Sequence, residues 1–265
     1  MPDMENNKQY LKVALLAAKQ AAPIFKRYFG CPKKVSIKDH NIRNMVTEVD
    51  LHIEKLIRQI VFKNFPAHKV IGEEYGSQKL MKDDVVWIID PIDGTNNFIR
   101  GIPLCCISIA VWRNGKPEVA VLYNPLTGQL FHAVAGKGAY LNNKKIHVTK
   151  VDRVNKALGG IGWSLKMSRA KEMFGTIVPF VNKARALGTT ALQLAYVACG
   201  VYDYYTVNDM HIWDVAAGVL LIEEAGGKVT DWQGRKIKNN VQELVASNGK
   251  IHGQLVNQLK KISPA

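Results

Sequence analysis

The sequence predicts an α/β (α+β) fold in which helices and sheets form separate layers. Three β-type runs, at residues 104–112, 118–123 and 129–134, are joined by turn-forming Asn-Gly and Pro/Gly segments, a pattern typical of an antiparallel meander. Segments with helical spacing of apolar residues lie on both sides of this meander. Because one chain carries both patterns, we expect sheets covered by helices.

The first half of the chain opens with two predicted helices. Apolar side chains recur at helical spacing over residues 10–29 and again over residues 46–65. Gly30 is a suitable end for the first helix because glycine readily adopts the left-handed conformation that terminates helices. Residues 36–45 are polar and charged, so we expect an exposed loop or hairpin between the two helices.

Two short strands follow, and each leads directly into acidic residues. Residues 70–72 precede Glu73, and the β-branched and aromatic run at residues 85–89 precedes Asp90. Pro91 is predicted to stop the second strand, because proline lacks the N–H group that a sheet requires. The acidic residues therefore lie at strand ends, where α/β proteins commonly place functional groups.

The second half alternates between strand and helix patterns. Its predicted elements are strands at residues 158–162 and 201–206 and helices at residues 169–182, 190–198 and 214–225, the last ended by Gly226 and Gly227. The polar residues 150–155 mark the point where the two halves meet. We expect a single domain, residues 1–265, with halves of about 1–150 and 151–265 and the functional site between them.

Length and composition limit the class of protein. With 265 residues, 47% hydrophobic and 22% charged, the chain is able to bury a large core. Its four cysteines lack metal-site or disulfide spacing, which favours a reducing cytoplasm, and no apolar run approaches the ~18 residues of a membrane span. The net charge of +14 suits anionic substrates or nucleic acid. The basic residues are scattered along the chain, however, which favours an ordinary solvated surface.

Four acidic residues lie where regular elements begin or end. They are Glu73, Asp90, Asp93 and Asp214. Carboxylates grouped in one crevice repel one another unless cations neutralise them, and a donor set of oxygens alone selects hard ions such as Mg²⁺. The turn at Gly94 and Thr95 offers backbone N–H groups to a phosphate. Together these features suit metal-assisted phosphoryl hydrolysis.

Each acidic residue also has a purely structural interpretation. Asp90 and Asp93 are common turn residues, and Asp214 is a suitable N-cap for the helix that follows. The Glu73-Glu74 pair is compatible with a solvated strand end, and Asp50 with the exposed face of its helix. The joint occurrence of these residues favours a common site.

Three motifs, in fixed order, resemble the inositol monophosphatase family. They are IGEE at residues 71–74, WIIDPIDGTNNF at residues 87–98 and WDVAAG at residues 213–218. The similarity runs from the first helix to Ser247-Asn248, and the three motifs together are highly specific. The resemblance implies a layered αβαβα sandwich of the sugar phosphatase type, a homodimer, and lithium-sensitive, Mg²⁺-dependent hydrolysis of a phosphate monoester with about two to three ions per site.

The resemblance also implies the metal ligands. Glu73, Asp90 and the backbone carbonyl of Ile92 would hold one Mg²⁺. Asp90, Asp93 and Asp214 would hold a second. Glu73 would also ligate a third, weaker metal or its water.

The remaining implied roles concern the water and the phosphate. Thr95 and Asp50 would orient the attacking water. The backbone amides of Gly94 and Thr95 would hold the phosphate, and Asp93 and Asp214 would also contact substrate hydroxyls.

The alcohol part of the substrate would be lined by the Gly188, Thr189 and Thr190 segment, which resembles the family's Gly-Thr/Ser-Ala sequence. Lys38 resembles the lysine of the family's mobile loop, although its spacing to Asp50 is one residue longer.

One departure from the family pattern affects the substrate. Members specific for inositol phosphates commonly carry a Glu between a Tyr-Tyr-like strand end and Trp-Asp, whereas residues 204–213 contain none and are one residue longer. The corresponding hydroxyl contact is either lost or supplied by Thr206, Asn208 or Asp209. The catalytic expectation stands, but the inositol assignment is weakened, because rejection of other polyols depends on such contacts.

The sequence therefore predicts a soluble, cytoplasmic, Mg²⁺-dependent phosphoric monoester hydrolase with inositol 1-phosphate as the leading substrate. Alternatives within the superfamily are fructose-1,6-bisphosphatase, histidinol-phosphatase and 3′-phosphoadenosine phosphatase. An alternative of another class is a binding partner in RNA metabolism that contacts the transcription machinery, as bacterial relatives of the family do; the high positive charge motivates it.

Overall fold

Two large β-sheets alternate with three layers of helices in the part of the chain that the structure describes. The computed structural model describes residues 2–38, 41, 45–78, 81, 84–163, 167–237 and 242–262. Its helices are α1 (Pro2–Tyr28), α2 (Glu48–Asn64), α3 (Thr95–Ile99), α4 (Met167–Ile177), α5 (Thr190–Ala198), α6 (Ile212–Glu224) and α7 (His252–Leu259), with a 3₁₀ helix at Val154–Lys156. Its strands are β1 (Val35–Ile37), β2 (Met45–Thr47), β3 (Lys69–Gly72), β4 (Gly76–Ser77), β5 (Val85–Asp93), β6 (Cys106–Arg113), β7 (Lys116–Asn124), β8 (Gln129–Val134), β9 (Gly138–Leu141), β10 (Lys144–Ile146), β11 (Leu158–Trp163), β12 (Lys183–Arg185), β13 (Tyr204–Asn208), β14 (Lys228–Thr230) and β15 (Glu243–Ser247).

The larger sheet has the strand order β10-β9-β8-β7-β6-β5-β3-β4, and the smaller sheet has the order β12-β11-β13-β15-β14. Strands β6 to β10 form consecutive antiparallel pairs, so the predicted meander is confirmed. Strands β1 and β2 pair as a separate antiparallel ribbon. This supports a hairpin across residues 36–45, of which residues 39–40 and 42–44 lie outside the described part of the chain.

Three apolar clusters define the layers. Helices α1 and α2 cover one face of the larger sheet, where Phe25 of α1, Ile53 of α2 and Trp87 of β5 belong to one buried apolar cluster. Helices α5 and α6 fill the space between the two sheets. Helices α4 and α7 cover the outer face of the smaller sheet through Met173 and Leu255. The order helix, sheet, helix, sheet, helix confirms the predicted αβαβα sandwich.

Strand β5 shows why the sequence has a continuous apolar run here. Trp87 and Ile89 pack toward α1 and α2, whereas Ile88 packs toward α5 and α6. Successive side chains of a strand point to opposite faces, and both faces of this sheet are covered. Residues 85–89 of the strand are therefore all apolar.

The predicted end of this strand at Pro91 is wrong, because β5 continues to Asp93. Asp90 pairs with Ser108 and Asp93 with Cys106, so three steps along β5 oppose two steps along β6. The extra residue makes a bulge. Proline, which cannot donate to the ladder, is tolerated there.

Several predicted element ends also differ from the structure. Helix α1 begins at Pro2 rather than at residue 10. Helix α4 ends at Ile177, before residue 182, because the N–H groups of Asn182 and Lys183 donate to the carbonyl of Ala157 as the chain enters β12. Strand β13 begins at Tyr204 rather than at residue 201. The N–H groups of residues 201 and 202 instead donate to the carbonyl of Tyr196 at the end of α5.

The cysteines are all free thiols: Cys31, Cys105, Cys106 and Cys199. Cys105 and Cys106 are buried, and burial raises the pKa of the Cys105 thiol to about 12, so these residues act as small apolar core side chains. Within the described ranges, no helix combines the length and the apolarity that crossing a bilayer requires.

Candidate active site

A small pocket brings together the acidic residues that the sequence singled out. Its volume is about 170 Å³. Its lining consists of Met45, Glu73, Asp90, Ile92, Asp93, Gly94, Thr95, Asn96, Gly188 and Asp214. All five predicted metal ligands belong to this set, and two of the lining residues, Gly188 and Asp214, come from the second half of the chain.

The bulge in β5 places Asp90 and Asp93 beside one another at this pocket. Asp90 Oδ1 accepts a hydrogen bond from the Ile92 N–H at 3.0 Å, so the carboxylate stabilises the irregular backbone that follows it. Both carboxylates are almost completely buried, Asp90 at 2% and Asp93 at 5% exposure. A turn carrying two such buried carboxylates contradicts the reading of these residues as ordinary turn residues, which are normally solvated.

The N-terminus of α5 holds Asp93. The Thr189 hydroxyl donates to Asp93 Oδ2, and the N–H groups of Thr190 and Ala191 donate to the same carboxylate at 2.9 and 3.1 Å. A helix N-terminus favours a negative charge because its first N–H groups lack intrahelical partners. Thr189 and Thr190, expected to line the substrate, therefore also bind Asp93 directly.

Asp50 lies behind the pocket rather than on an exposed helix face. It is fully buried in the first turn of α2, where the N–H of Thr47 donates to Asp50 Oδ2 at 2.9 Å and the Thr47 hydroxyl caps the helix. Thr95 Oγ1 is 3.4 Å from Asp50 Oδ1 and 3.1 Å from the carbonyl oxygen of Ile92. Thr95 thus connects the buried Asp50 to the pocket.

Asp214 occupies the third position of α6 and is not its N-cap. His211 is the N-cap residue, and its N–H donates to Asp214 Oδ2 at 2.7 Å. The Asp214 carboxylate also lines the pocket. The alternative interpretation of Asp214 as an N-cap is therefore wrong.

Burial and mutual repulsion dominate the electrostatics of the pocket. Burial, followed by the charges of Glu73 and its neighbours, raises the pKa of Asp90 well above its usual range. Burial likewise raises the pKa of Asp214. For Asp93, burial raises the pKa to about 6 although the bonds from Thr189 and α5 oppose the change. Carboxylates in this state ionise together only if a cation compensates them.

Lys38 supplies a cation at the edge of this acidic group. Its ammonium is 3.0 Å from Glu73 Oε1 and 2.6 Å from Glu74 Oε1. Burial lowers the pKa of Lys38, but the attraction of Glu73 and Glu74 outweighs this effect and leaves it raised. Glu73 and Glu74 are therefore not the solvated acidic pair that their sequence context also allowed.

The carboxylates and backbone carbonyls that line the pocket supply oxygen donors, the type of ligand that Mg²⁺ prefers. Among the described residues, no three His, Cys, Asp or Glu side chains converge on one point closely enough to hold a metal ion. The carboxylates nevertheless share one pocket whose other polar atoms are hydroxyl, amide and backbone groups. Hard divalent cations bind such oxygen donors, and a cation beside Asp90 and Asp214 would offset the burial and mutual repulsion that raise their pKa values.

A cavity of about 520 Å³ adjoins this pocket and shares Asp93, Asn96, Gly188 and Asp214 with it. Among the residues that line the cavity are Ile102, Trp163, Thr189, Thr190, Gln193, Tyr205, Val207, Asp209 and Met210. The Thr190 hydroxyl is 3.1 Å from the Tyr205 hydroxyl. Aromatic and aliphatic groups therefore form much of the wall.

The alternation of side chains along and just after β13 determines which of the three candidates, Thr206, Asn208 and Asp209, lies at this cavity. Tyr205, Val207 and Asp209 line it. The side chain of Thr206 points to the opposite face, where its hydroxyl lies 2.9 Å from Trp232 Nε1, and Asn208 is buried outside the lining. Thr206 and Asn208 therefore lie away from this cavity, because alternate strand residues face opposite sides, and Asp209 is the one of the three alternatives that lines it.

Gly94 marks the close approach of the two halves. Its φ of +88° is left-handed, and a Cβ here would lie 2.9 Å from the Leu104 carbonyl oxygen and 3.2 Å from that of Gly188. Only glycine adopts this left-handed conformation without strain and also leaves room for the two carbonyl oxygens.

Sequence reasoning missed Asn97, although it lies inside the longest motif. Asn97 Nδ2 donates to the carbonyl oxygens of Leu104 and Leu187 at 2.8 and 2.7 Å. It therefore ties the first half to the second beside the pocket. The only available signal was its position two residues after Thr95.

Comparisons with known proteins show the family to which the chain is similar. Residues 6–263 match the model of the inositol monophosphatase family. Inositol monophosphatase 2 of Solanum lycopersicum is 36% identical, with 96% of this chain and 98% of that protein covered. The Nus factor SuhB of Escherichia coli K12 is 35% identical, with 96% and 97% covered.

Solved structures are similar over the whole length as well. The extragenic suppressor protein suhB of Bartonella henselae superposes with a TM-score of 0.89 at 31% identity, covering 96% of this chain and 99% of that one. An IMPase from Thermotoga maritima superposes with a TM-score of 0.88 at 29% identity, covering 96% and 98%.

Proposed function

The chain belongs to the inositol monophosphatase family of phosphatases, and we propose that it is a Mg²⁺-dependent enzyme that hydrolyses inositol 1-phosphate to myo-inositol and phosphate. The observation that carries the proposal is the single pocket lined by Glu73, Asp90, Asp93, Thr95 and Asp214. Asp90, Asp93 and Asp214 are buried carboxylates with raised pKa values, and such groups are concentrated at functional sites.

The acidic residues would hold the metal ions. Glu73, Asp90 and the Ile92 carbonyl would bind one Mg²⁺, with Glu73 also serving a weaker third. Asp90, Asp93 and Asp214 would bind the second. When bound, Mg²⁺ polarises the phosphoryl group and lowers the pKa of a water.

Thr95 and Asp50 would orient the attacking water. The Thr95 hydroxyl proton is directed to the Ile92 carbonyl or to Asp50, so the oxygen lone pairs remain available to accept a hydrogen bond from water. Burial raises the pKa of Asp50 to about 7, in the range that suits proton transfer near neutral pH.

The neighbouring elements would position the substrate. The backbone amides of Gly94 and Thr95 would receive the phosphate, because N–H groups at a turn attract anions. Asp93 and Asp214 would also contact the substrate hydroxyls. Gly188, Thr189 and Thr190 lie between the small pocket and the larger cavity, so they would line the inositol ring.

A phosphate-release assay tests the proposal. The panel is inositol 1-phosphate, fructose 1,6-bisphosphate, histidinol phosphate and 3′-phosphoadenosine 5′-phosphate, each with Mg²⁺ and with EDTA. We expect Mg²⁺-dependent release and the highest kcat/KM for inositol 1-phosphate. Release without metal would refute the mechanism, and a preference for another member of the panel would move the substrate assignment to that compound. Addition of LiCl to the same assay tests the expected lithium sensitivity.

A second candidate function is contact with the transcription machinery. It is favoured by the net charge of +14 and by the similarity to a protein named as a Nus factor. Asp93→Asn separates the two functions, because it disables the proposed metal site without altering the basic surface. If this variant lacks phosphatase activity but restores a deletion phenotype, binding is the main role in the cell.

The assembly and location form a further part of the proposal. We place a homodimer in the cytoplasm, supported by the family resemblance and by the four free cysteines. Light scattering coupled to size-exclusion chromatography measures the mass in solution, and a mass of about 59 kDa, twice that of the 29.5 kDa chain, is expected for the dimer.

A further inference from the structure

Glu54 and Arg58 form a buried ion pair beside the turn that begins at Glu73. Glu54 is fully buried on α2, and Arg58, one helical turn later, donates from Nε to Glu54 Oε1 at 2.7 Å. Asp50 and Glu54 are four residues apart and therefore lie on the same side of the helix. Asp50 and Glu54 thus project from the same side of α2.

The pair binds the backbone of the turn at several points. The Glu74 N–H donates to Glu54 Oε2 at 2.7 Å, and the Tyr75 N–H donates to Glu54 Oε1 at 3.3 Å. Arg58 Nη2 donates to the carbonyl oxygen of Gly76 at 2.6 Å, and the guanidinium lies 5.7 Å from the centre of the Tyr75 ring. Three consecutive residues of the turn are therefore fixed from α2.

Gly72 makes this approach possible. A Cβ at position 72 would lie 2.0 Å from Glu54 Oε1 and 2.3 Å from its carboxyl carbon. Any larger residue would push the Glu54 carboxylate away from the turn. The glycine at the end of β3 is therefore required by close contact with a buried side chain.

Resting on the proposed metal-dependent function, we infer that Glu54 and Arg58 are positioning residues that set the direction of the Glu73 carboxylate. Glu73 lies between Gly72, the last residue of β3, and Glu74 and Tyr75, whose N–H groups donate to the Glu54 carboxylate. The Glu73 N–H donates to the Ile89 carbonyl at 3.3 Å, which ties it to β5. Glu73 is thus held between β5 and the Glu54–Arg58 pair, with its side chain lining the pocket.

The expected consequence is a selective loss of Mg²⁺ affinity. Groups that orient a metal ligand typically contribute about 10- to 100-fold to affinity. Glu54→Gln keeps the side-chain shape but turns one acceptor oxygen into an NH₂ group, which would face a donor. We expect the Mg²⁺ concentration for half-maximal effect to rise about tenfold, while kcat at saturating Mg²⁺ approaches the wild-type value.

The experiment measures Mg²⁺ binding by isothermal titration calorimetry and Mg²⁺ activation of phosphate release. The matched control is Glu243→Gln in β15 of the smaller sheet. This change removes the partly buried carboxylate that pairs with Arg169 of α4. This control is expected to lower the melting temperature but to leave the Mg²⁺ midpoint unchanged. Arg58→Lys is the milder second variant, since it keeps a cation beside Glu54 but loses the paired contact with Gly76.

The outcomes separate this inference from the function on which it rests. A wild-type protein that neither binds Mg²⁺ nor is activated by it refutes the proposed function. If the wild type binds Mg²⁺ and both Glu54→Gln and Arg58→Lys bind it equally well, the positioning role is refuted. A drop in melting temperature with an unchanged midpoint also refutes it, because that result indicates a contribution to stability alone.

Discussion

At the scale of single residues, Thr95 is the side chain that connects the buried Asp50 to the pocket. Thr95→Ala removes the hydroxyl that would orient the attacking water, so we expect kcat to fall on the order of a hundredfold with little change in KM. Thr95→Ser keeps the hydroxyl and serves as the matched control. Steady-state kinetics at saturating Mg²⁺ makes the measurement, and equal losses in both variants would contradict the role of the hydroxyl.

His252 is a buried histidine whose two ring nitrogens both have hydrogen-bond partners. Its Nε2 lies 2.9 Å from Thr230 Oγ1, whose own proton is donated to the Asp231 carbonyl, so Nε2 carries the ring proton and Nδ1 accepts from Ser247. Burial, together with the nearby Lys228, lowers the pKa of His252 from 6.5 to about 4. A lowered pKa in the folded state means that the stabilising contribution is complete above pH 6.5 and is lost as the pH falls toward 4.

The comparison is between the wild type and His252→Gln, which cannot be protonated. Their difference in unfolding free energy is expected to shrink by on the order of 2 kcal/mol between pH 7 and pH 4.5. Denaturant unfolding at several pH values measures it. A difference that does not vary with pH would show that His252 does not titrate in this window.

At the scale of elements, the turn from β5 into α3 depends on Gly94. Gly94→Ala introduces a left-handed alanine and a contact with two carbonyl oxygens. Gly115→Ala is the control, because Gly115 has a φ of +70° but no atom within 4 Å of an added Cβ. We expect the control to lose about 1 kcal/mol from conformation alone and Gly94→Ala to lose about 1–3 kcal/mol more from overpacking. Chemical denaturation compares them, and equal losses would show that the surroundings of Gly94 relax.

Local patterns predicted most elements but not how they end. The meander and helix α5 follow from apolar periodicity and turn residues, which act over a few positions. The continuation of β5 through Pro91 does not follow from such local patterns, because a bulge depends on the pairing of Asp93 with Cys106 on another strand. The early end of α4 likewise depends on the Ala157 carbonyl, which is distant in sequence.

At the scale of the whole molecule, the family motifs identified the acidic residues of the pocket, whereas their supporting contacts needed the fold. Asp93 is held by α5, almost one hundred positions away, and Asn97 joins carbonyls from both halves. Glu54 is recognisable in hindsight as a charged residue on the buried side of α2, paired with an arginine four positions later. No short-range pattern reveals which turn it supports.

The two halves of the chain share the middle helical layer. Trp112 of β6 donates from Nε1 to the Ala216 carbonyl of α6 at 3.2 Å, and one apolar cluster contains residues of both halves. We therefore propose a single cooperative domain with one thermal transition. Since Asp90 and Asp214 come from different halves, Mg²⁺ that binds only the folded state stabilises both together.

A hundredfold excess of Mg²⁺ over its Kd adds about 2.7 kcal/mol to the unfolding free energy, which corresponds to a rise in melting temperature of about 5 °C or more. Calorimetry with Mg²⁺ or EDTA measures this shift. Asp90→Asn, which removes a carboxylate assigned to both proposed ions, should abolish it, whereas Asp152→Asn on the exposed connecting segment should retain it. Two separate transitions, of which Mg²⁺ shifts only one, would contradict a single domain whose halves both bind the metal.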